Sequence, residues 1–206
     1  MKNLFLIAAL FIFTLQSCKN DDYVPDVRPS SFNLVTTPGS YWIYQWYQID
    51  TLGLETPTFQ DSIYVVGDTV INNNTFTLYA GTEFNQSAYE IYRDSLGFIV
   101  NSNGVKLWNK NAIGPFSSNS NDVATSEASM INNNSTITVP AGTFASLEKS
   151  STFCLINGNP VTPCAQCFTG TSNYVEGVGE IIRQVTFVGS QDCSQLERRL
   201  IRYKIQ

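Results

Sequence analysis

No stretch of this chain keeps a 3.6-residue hydrophobic period; short apolar or alternating runs recur instead, each stopped by Asn, Asp, Gly, Ser or Pro. That pattern predicts hairpins. Tyr41 to Tyr47 holds five aromatic residues in seven and reads as a strand, with Asp50-Thr51-Leu52-Gly53 as its turn. The runs Ser62–Val66 and Thr75–Ala80 flank Asn72-Asn73-Asn74, residues that tolerate positive φ and so close tight connections. Tyr89–Arg93 and Phe98–Val100 flank Asp94-Ser95-Leu96-Gly97, a sequence that fits a type I turn. Val105–Trp108, Ser135–Val139, Phe144–Leu155, Asn173–Val178, Glu180–Val188 and Gln195–Ile205 complete roughly eleven strands. Asn109 to Glu127 is Asn/Ser-rich and reads as a long loop with at most one edge strand. Ile71-Asn72-Asn73-Asn74-Thr75 and Ile131-Asn132-Asn133-Asn134-Ser135 read as recurrent turn chemistry, with a duplicated half-domain as the alternative. The expected fold is a single antiparallel β-domain over residues 32–206, an open or closed barrel or a curved sandwich.

The N-terminus carries an address. Lys2, the apolar run Leu4–Leu15 and the small or polar residues before Cys18 have the layout of a secretory signal over residues 1–17. A run of twelve residues is well short of the roughly 20 that span a bilayer as a helix. Leu15-Gln16-Ser17-Cys18 resembles a bacterial lipobox, in which the cysteine is acylated and becomes the new N-terminus. Two or more acyl chains anchor stably where one does not. Asp21-Asp22, just behind Lys19, resembles the export signal of Bacteroidetes surface lipoproteins, so the expected location is the outer membrane, lipid-anchored and exposed at the cell surface. Residues 18–31 are polar, carry Pro25 and Pro29, and form an extended linker reaching at most ~45 Å.

Composition narrows the chemistry. The chain has 17 acidic and 12 basic residues, no basic cluster and no histidine. Nucleic acid is therefore excluded as an expected partner. Histidine-based nucleophile systems, His-ligated metals and imidazole acid/base catalysis are all excluded, and no cofactor or metal is expected. Enzymatic activity is not expected.

Four cysteines remain beyond Cys18: Cys154, Cys164, Cys167 and Cys193. In an oxidising compartment they predict two disulfides, with three possible connectivities. Cys164-Ala165-Gln166-Cys167 leaves a redox pair or half of a zinc site as alternatives, although no helix follows to lower a thiol pKa and a second close pair is missing.

Alternation places Trp42, Tyr44 and Trp46 on one face and Tyr41, Ile43 and Tyr47 on the other. With Trp108 the first set is the candidate ligand surface, for a sugar or a hydrophobic molecule; plain core packing is the alternative. Thr51, Ser62, Thr69 and Ser95 each follow Asp and precede an aliphatic residue, which looks like an O-glycosylation signal of exported Bacteroidetes proteins and equally like turn chemistry. Glu176 with Glu180, and Glu83 with Glu90, are the carboxylate pairs that a hydrolase could use.

Four stretches stand in a familiar order: Pro38-Gly39-Ser40-Tyr41-Trp42-Ile43-Tyr44, Val66-Gly67-Asp68-Thr69-Val70-Ile71-Asn72, Val139-Pro140-Ala141-Gly142-Thr143-Phe144 and Tyr174-Val175-Glu176-Gly177-Val178-Gly179. Together they resemble Bacteroidetes-type surface lipoproteins, which implies a curved antiparallel sheet over about Thr37 to Arg202 and implies no catalytic residues. The sequence thus points to a surface lipoprotein that binds a ligand, glycan or protein or serves an envelope role. A carboxylate-dependent extracellular hydrolase and a lipocalin-like carrier of a hydrophobic ligand are the alternatives.

Overall fold

The computed structural model describes residues 34–109, 111, 113–156, 167–185 and 193–206. The signal, Cys18, the linker and Cys164 lie outside the described residues. Twelve strands form one antiparallel sheet: β1 (Tyr41–Ile49), β2 (Glu55–Ile71), β3 (Asn74–Glu83), β4 (Gln86–Ser95), β5 (Phe98–Asn101), β6 (Lys106–Trp108), β7 (Gly114–Ser120), β8 (Ala124–Val139), β9 (Gly142–Leu155), β10 (Cys167–Val175), β11 (Gly179–Val185) and β12 (Gln195–Lys204). Every strand pairs with its sequence neighbours except β6 and β7, which form the two edges, and β1 additionally pairs with β12. The sheet curls until these edges approach. Phe98 of β5 lies 5.8 Å from Phe116 of β7, and Trp108 of β6 lies 5.1 Å from Tyr174 of β10, ring centre to ring centre. The result is a nearly closed barrel with one seam.

Turn chemistry sets the register. Asn72 and Asn73 have φ of 49° and 61°, and Leu96 and Gly97 have 54° and 81°, so both connections are two-residue loops of the type I′ kind. The Asp94–Gly97 turn is thus type I′ and not type I, because Ser95 pairs directly with Phe98 and the right-handed strand twist favours the mirror-image turn. Asp94 still does what the sequence implies: its carboxylate accepts the Gly97 N–H at 3.2 Å. A third such loop, Phe84-Asn85, places at positive φ a phenylalanine, which is poorly suited to it, beside an asparagine, which tolerates it. It is held by the buried Asp61 carboxylate, which accepts the Phe84 and Asn85 N–H groups at 2.9 and 3.1 Å, and by stacking of the Phe84 ring on Trp46 at 4.6 Å.

The region Asn109 to Glu127 is not a long loop. It contains β7, an edge strand, and the start of β8, Ser/Asn/Thr-rich strands that pair through their backbones at the seam without needing an apolar face. The second Asn run is not a turn either: β8 continues across residues 131–135, and the register with β9 shifts there. A β-bulge accommodates the extra residues.

The interior is filled from alternating positions. Trp42, Tyr44, Val65, Tyr79, Val139, Ile181 and Leu200 form the main core, and Ile99, Trp108 and Met130 a second cluster beneath the seam. Gly81 allows β3 to approach β2, since a Cβ there would stand 1.8 Å from the Ser62 carbonyl oxygen.

Candidate functional site

Inward-facing side chains from β1–β6 and β9–β12, with Leu34 and Val35 ahead of β1, line a partly open cavity of about 190 Å³. Its wall is aromatic. The Trp42, Tyr79 and Tyr92 rings follow one another at 6.1 and 5.6 Å, and Trp108 packs on Tyr174. These tilted pairs avoid the face-to-face sandwich that aromatic rings disfavour. Trp42 Nε1 donates to the Val178 carbonyl at 2.7 Å and the Tyr44 hydroxyl to the Glu180 carbonyl at 2.9 Å, which fixes β1 across the interior against the β10–β11 turn and β11.

The same cavity holds five charged side chains: Glu90 of β4, Lys149 of β9, Glu180 and Arg183 of β11, and Arg198 of β12. Glu180 is the hub. It accepts from Arg198 Nη2 and from the Tyr174 hydroxyl at 3.0 Å, and Arg183 Nε lies 3.5 Å from it. Burial works against its ionisation, and Arg198, Arg183 and Lys149 together outweigh burial, so its carboxyl sits below the usual glutamate range. Glu90 goes the other way: burial pushes it up, against the pull of Arg198 and Arg183, with the Tyr92 hydroxyl as its hydrogen-bond partner. Burial also lowers Lys149 and raises Tyr44, Tyr92 and Tyr174.

Arg198 is almost completely enclosed, its side chain 4% exposed, with its guanidinium 4.3 Å over the Tyr44 ring. Its Nη2 serves Glu180. Its Nε and Nη1 are buried without a hydrogen-bond partner, and no other described side chain leaves two nitrogens in that state. Arg183 reaches Glu83 of β3 through Nη2, while its Nε is ion-paired with Glu180 without a hydrogen bond.

Of the aromatic residues singled out by alternation, the structure brings Trp42, Tyr44 and Trp108 to the cavity, on its inner wall and not on an outer face. Trp46 is not part of it. Fully buried between Phe59 and Phe84, it donates to Asp61 Oδ2 at 2.6 Å and is core. The glutamate pairs regroup: Glu90 and Glu180 share the cavity, Glu83 binds Arg183 beside it, and Glu176 is exposed on the β10–β11 turn. Arg183, Arg198, Lys149 and Tyr92 carry no sequence signal beyond alternation, since each is one inward position among many.

Cys154 and Cys167 stand opposite one another on β9 and β10 and form a disulfide, with Cα atoms 4.2 Å apart. Cys193 is also disulfide-bonded. Cys167 is therefore not paired with Cys164 as a redox dithiol. Among the described residues no cluster of His, Cys, Asp or Glu could hold a metal ion. Thr51 is exposed, whereas Ser62, Thr69 and Ser95 are half-buried in or beside strands. Asp50 and Asp61, preceding Thr51 and Ser62, are committed to backbone N–H groups.

No protein-family model matches the chain, and no curated protein is similar to it. Solved structures are similar in fold. A candidate exported protein with a YmcC-like fold from Bacteroides fragilis superposes with a TM-score of 0.55 at 14% identity, over 84% of this chain and 99% of that one. A candidate lipoprotein from Parabacteroides distasonis gives a TM-score of 0.44 at 16% identity, over 84% of this chain and 98% of that one.

Proposed function

We propose that this is a lipid-anchored envelope protein, held by Cys18, that binds a small molecule inside its barrel without transforming it. The observation that carries the binding role is a partly open, aromatic-lined cavity containing a buried arginine whose donors are incompletely used. Small-molecule sites generally combine apolar walls with a few placed polar groups. A purely structural core would fill this space with side chains, since protein interiors are close-packed. The anchor is supported by the lipobox-like Leu15–Cys18 and by the fold shared with a candidate exported protein. A dry lipid-carrying interior fits less well, because five charged groups face the cavity.

The test is a thermal-shift screen of small metabolites and saccharides, followed by tryptophan fluorescence of variants that keep one tryptophan each. Binding inside the barrel perturbs Trp42 or Trp108 and leaves Trp46 unchanged. Hits that perturb none of the three, or a screen without hits, would sink the reading. For the anchor, Cys18→Ser is expected to move the protein from the membrane to the aqueous fraction and to abolish incorporation of labelled palmitate.

A second reading, a carboxylate-dependent hydrolase, is favoured by one observation: Glu90 and Glu180 share an aromatic cavity and are shifted in opposite directions, as acid and base partners are. Turnover of chromogenic glycosides that disappears in both Glu90→Gln and Glu180→Gln would replace the binding reading with this one.

A further inference from the structure

We propose that the cavity takes a small single-ring carboxylate, its ring against the aromatic wall of Trp42, Tyr92 and Trp108 and its anionic end at Arg198; this rests on the interior-binding reading above. Size comes first. An engineered apolar cavity of about 150 Å³ holds benzene, so about 190 Å³ admits one ring with a small substituent. Charge comes second. The lining carries Lys149, Arg183 and Arg198 against Glu90 and Glu180, and Glu83 beside it offsets Arg183, so one further negative charge is balanced when Glu90 is protonated and is in excess when Glu90 is ionised. Glu83, outside the lining, occupies one arm of Arg183, which leaves Arg198 as the cation with donors to spare.

The third point is the arginine itself. A guanidinium has five N–H donors, all of which seek acceptors when buried. Arg198 lines the cavity, and its Nε and Nη1 are buried without an acceptor, so leaving them unused is unfavourable. A ligand carboxylate supplies the missing acceptors and gains charge-assisted hydrogen bonds in a low-dielectric site. Stacking of the guanidinium on Tyr44 and its bond to Glu180 hold it in place beforehand, so little side-chain entropy is lost on binding.

Glu90 opposes the anion whenever it is ionised. The groups facing it are Arg198 of β12, Arg183 and Glu180 of β11, Tyr44 of β1 and Tyr79 of β3, with Tyr92 of β4 as its hydrogen-bond partner. Affinity for a carboxylate is therefore expected to fall as pH rises through the ionisation of Glu90, while a neutral isostere is indifferent to it.

The experiment titrates the full chain, purified in detergent, with benzoate and with its neutral isostere benzamide at pH 5 and pH 8, followed by calorimetry and tryptophan fluorescence. Benzoate is expected to bind at least tenfold more tightly than benzamide at pH 5 and to weaken several-fold at pH 8. Glu90→Gln, which removes the charge and keeps the shape, should tighten benzoate and abolish the pH effect. Arg198→Lys should weaken benzoate tenfold or more, with a melting curve to establish that it folds. Equal binding of benzamide and benzoate overturns the carboxylate assignment and leaves interior binding standing. Failure of benzoate to bind both the wild type and Glu90→Gln overturns the assignment as well, and the metabolite screen then decides the broader reading independently.

Discussion

Arg198 and Arg199 are adjacent on β12 and point to opposite faces of the sheet. The outward Arg199 is fully engaged: Nη1 and Nη2 grip the Glu55 carboxylate at 2.7 and 2.5 Å, Nε reaches Glu197 at 2.5 Å, and the guanidinium lies 4.7 Å over the Tyr47 ring. The inward Arg198 has an acceptor for one of its three nitrogens. Such bidentate pairing gives Arg199 a complete structural role in stitching β12 to β2 across β1. The cost of burying a guanidinium that is only partly satisfied makes Arg198 the residue with unfinished chemistry.

The comparison can be broken most forcefully at Arg198. Replacing it with Met leaves the Glu180 carboxylate buried without its closest cation, and removing one partner of a buried pair typically destabilises by about 3–5 kcal/mol. Urea unfolding of Arg198→Met should show that loss, and a loss below about 1 kcal/mol would mean that Glu180 is solvated in the native state. Tyr174→Phe removes one hydrogen bond to the same carboxylate while keeping the ring on Trp108, for an expected loss of about 1.5–3 kcal/mol. Outside the barrel, Arg199→Met should cost less, about 1–2 kcal/mol, because Glu55 is largely in water and the buried Glu197 keeps its hydrogen bond from Gln184. If chemical denaturation ranks Arg199→Met above Arg198→Met, the contrast between the faces is wrong.

A smaller and more diagnostic effect lies in the pH dependence of stability. Glu180 titrates below the ordinary 4.5 in the folded state, so its contribution is present above 4.5 and is lost as pH falls through its folded pKa. Glu90 titrates above 4.5, so its contribution is present below 4.5 and is lost as pH rises through its folded pKa. Thermal melts across this range should show stability declining on the neutral side in the wild type and a flatter profile in Glu90→Gln. An unchanged slope in the variant would remove Glu90 from the account.

What the sequence disclosed follows the same division between faces. The alternation Trp42, Tyr44, Trp46 sorts inward from outward on β1, and Asn72-Asn73 identifies a tight hairpin, because both are properties of neighbouring residues. The first half of β8 is not legible, since a polar strand pair at a seam has no apolar face to read. Neither is the Phe84-Asn85 turn, because Asn85 tolerates positive φ but Phe84 does not, and the loop depends on Asp61 from β2. Pairing of glutamates by closeness in sequence gave Glu83 with Glu90 and Glu176 with Glu180, whereas the curl of the sheet brings Glu90 to Glu180. The charged cavity has four strands as its source, and alternation marks an inward position without saying what lies across the barrel from it.

The pairing of β1 with β12 also bears on how the molecule forms. The first and last strands meet mid-sheet, tied further by the Gln206 N–H to Ser40 Oγ at 3.1 Å, while the seam lies between the sequence neighbours β6 and β7. Each half of the chain can zip as a local meander, yet joining them closes the longest loop available, a step that slows folding. Arg198 arrives only with that step. A nascent chain therefore lacks a complete cavity until β12 docks, and a circular permutant opened between β6 and β7, with residue 206 linked to residue 34, would turn the slowest contact into a local one and fold faster to the same barrel.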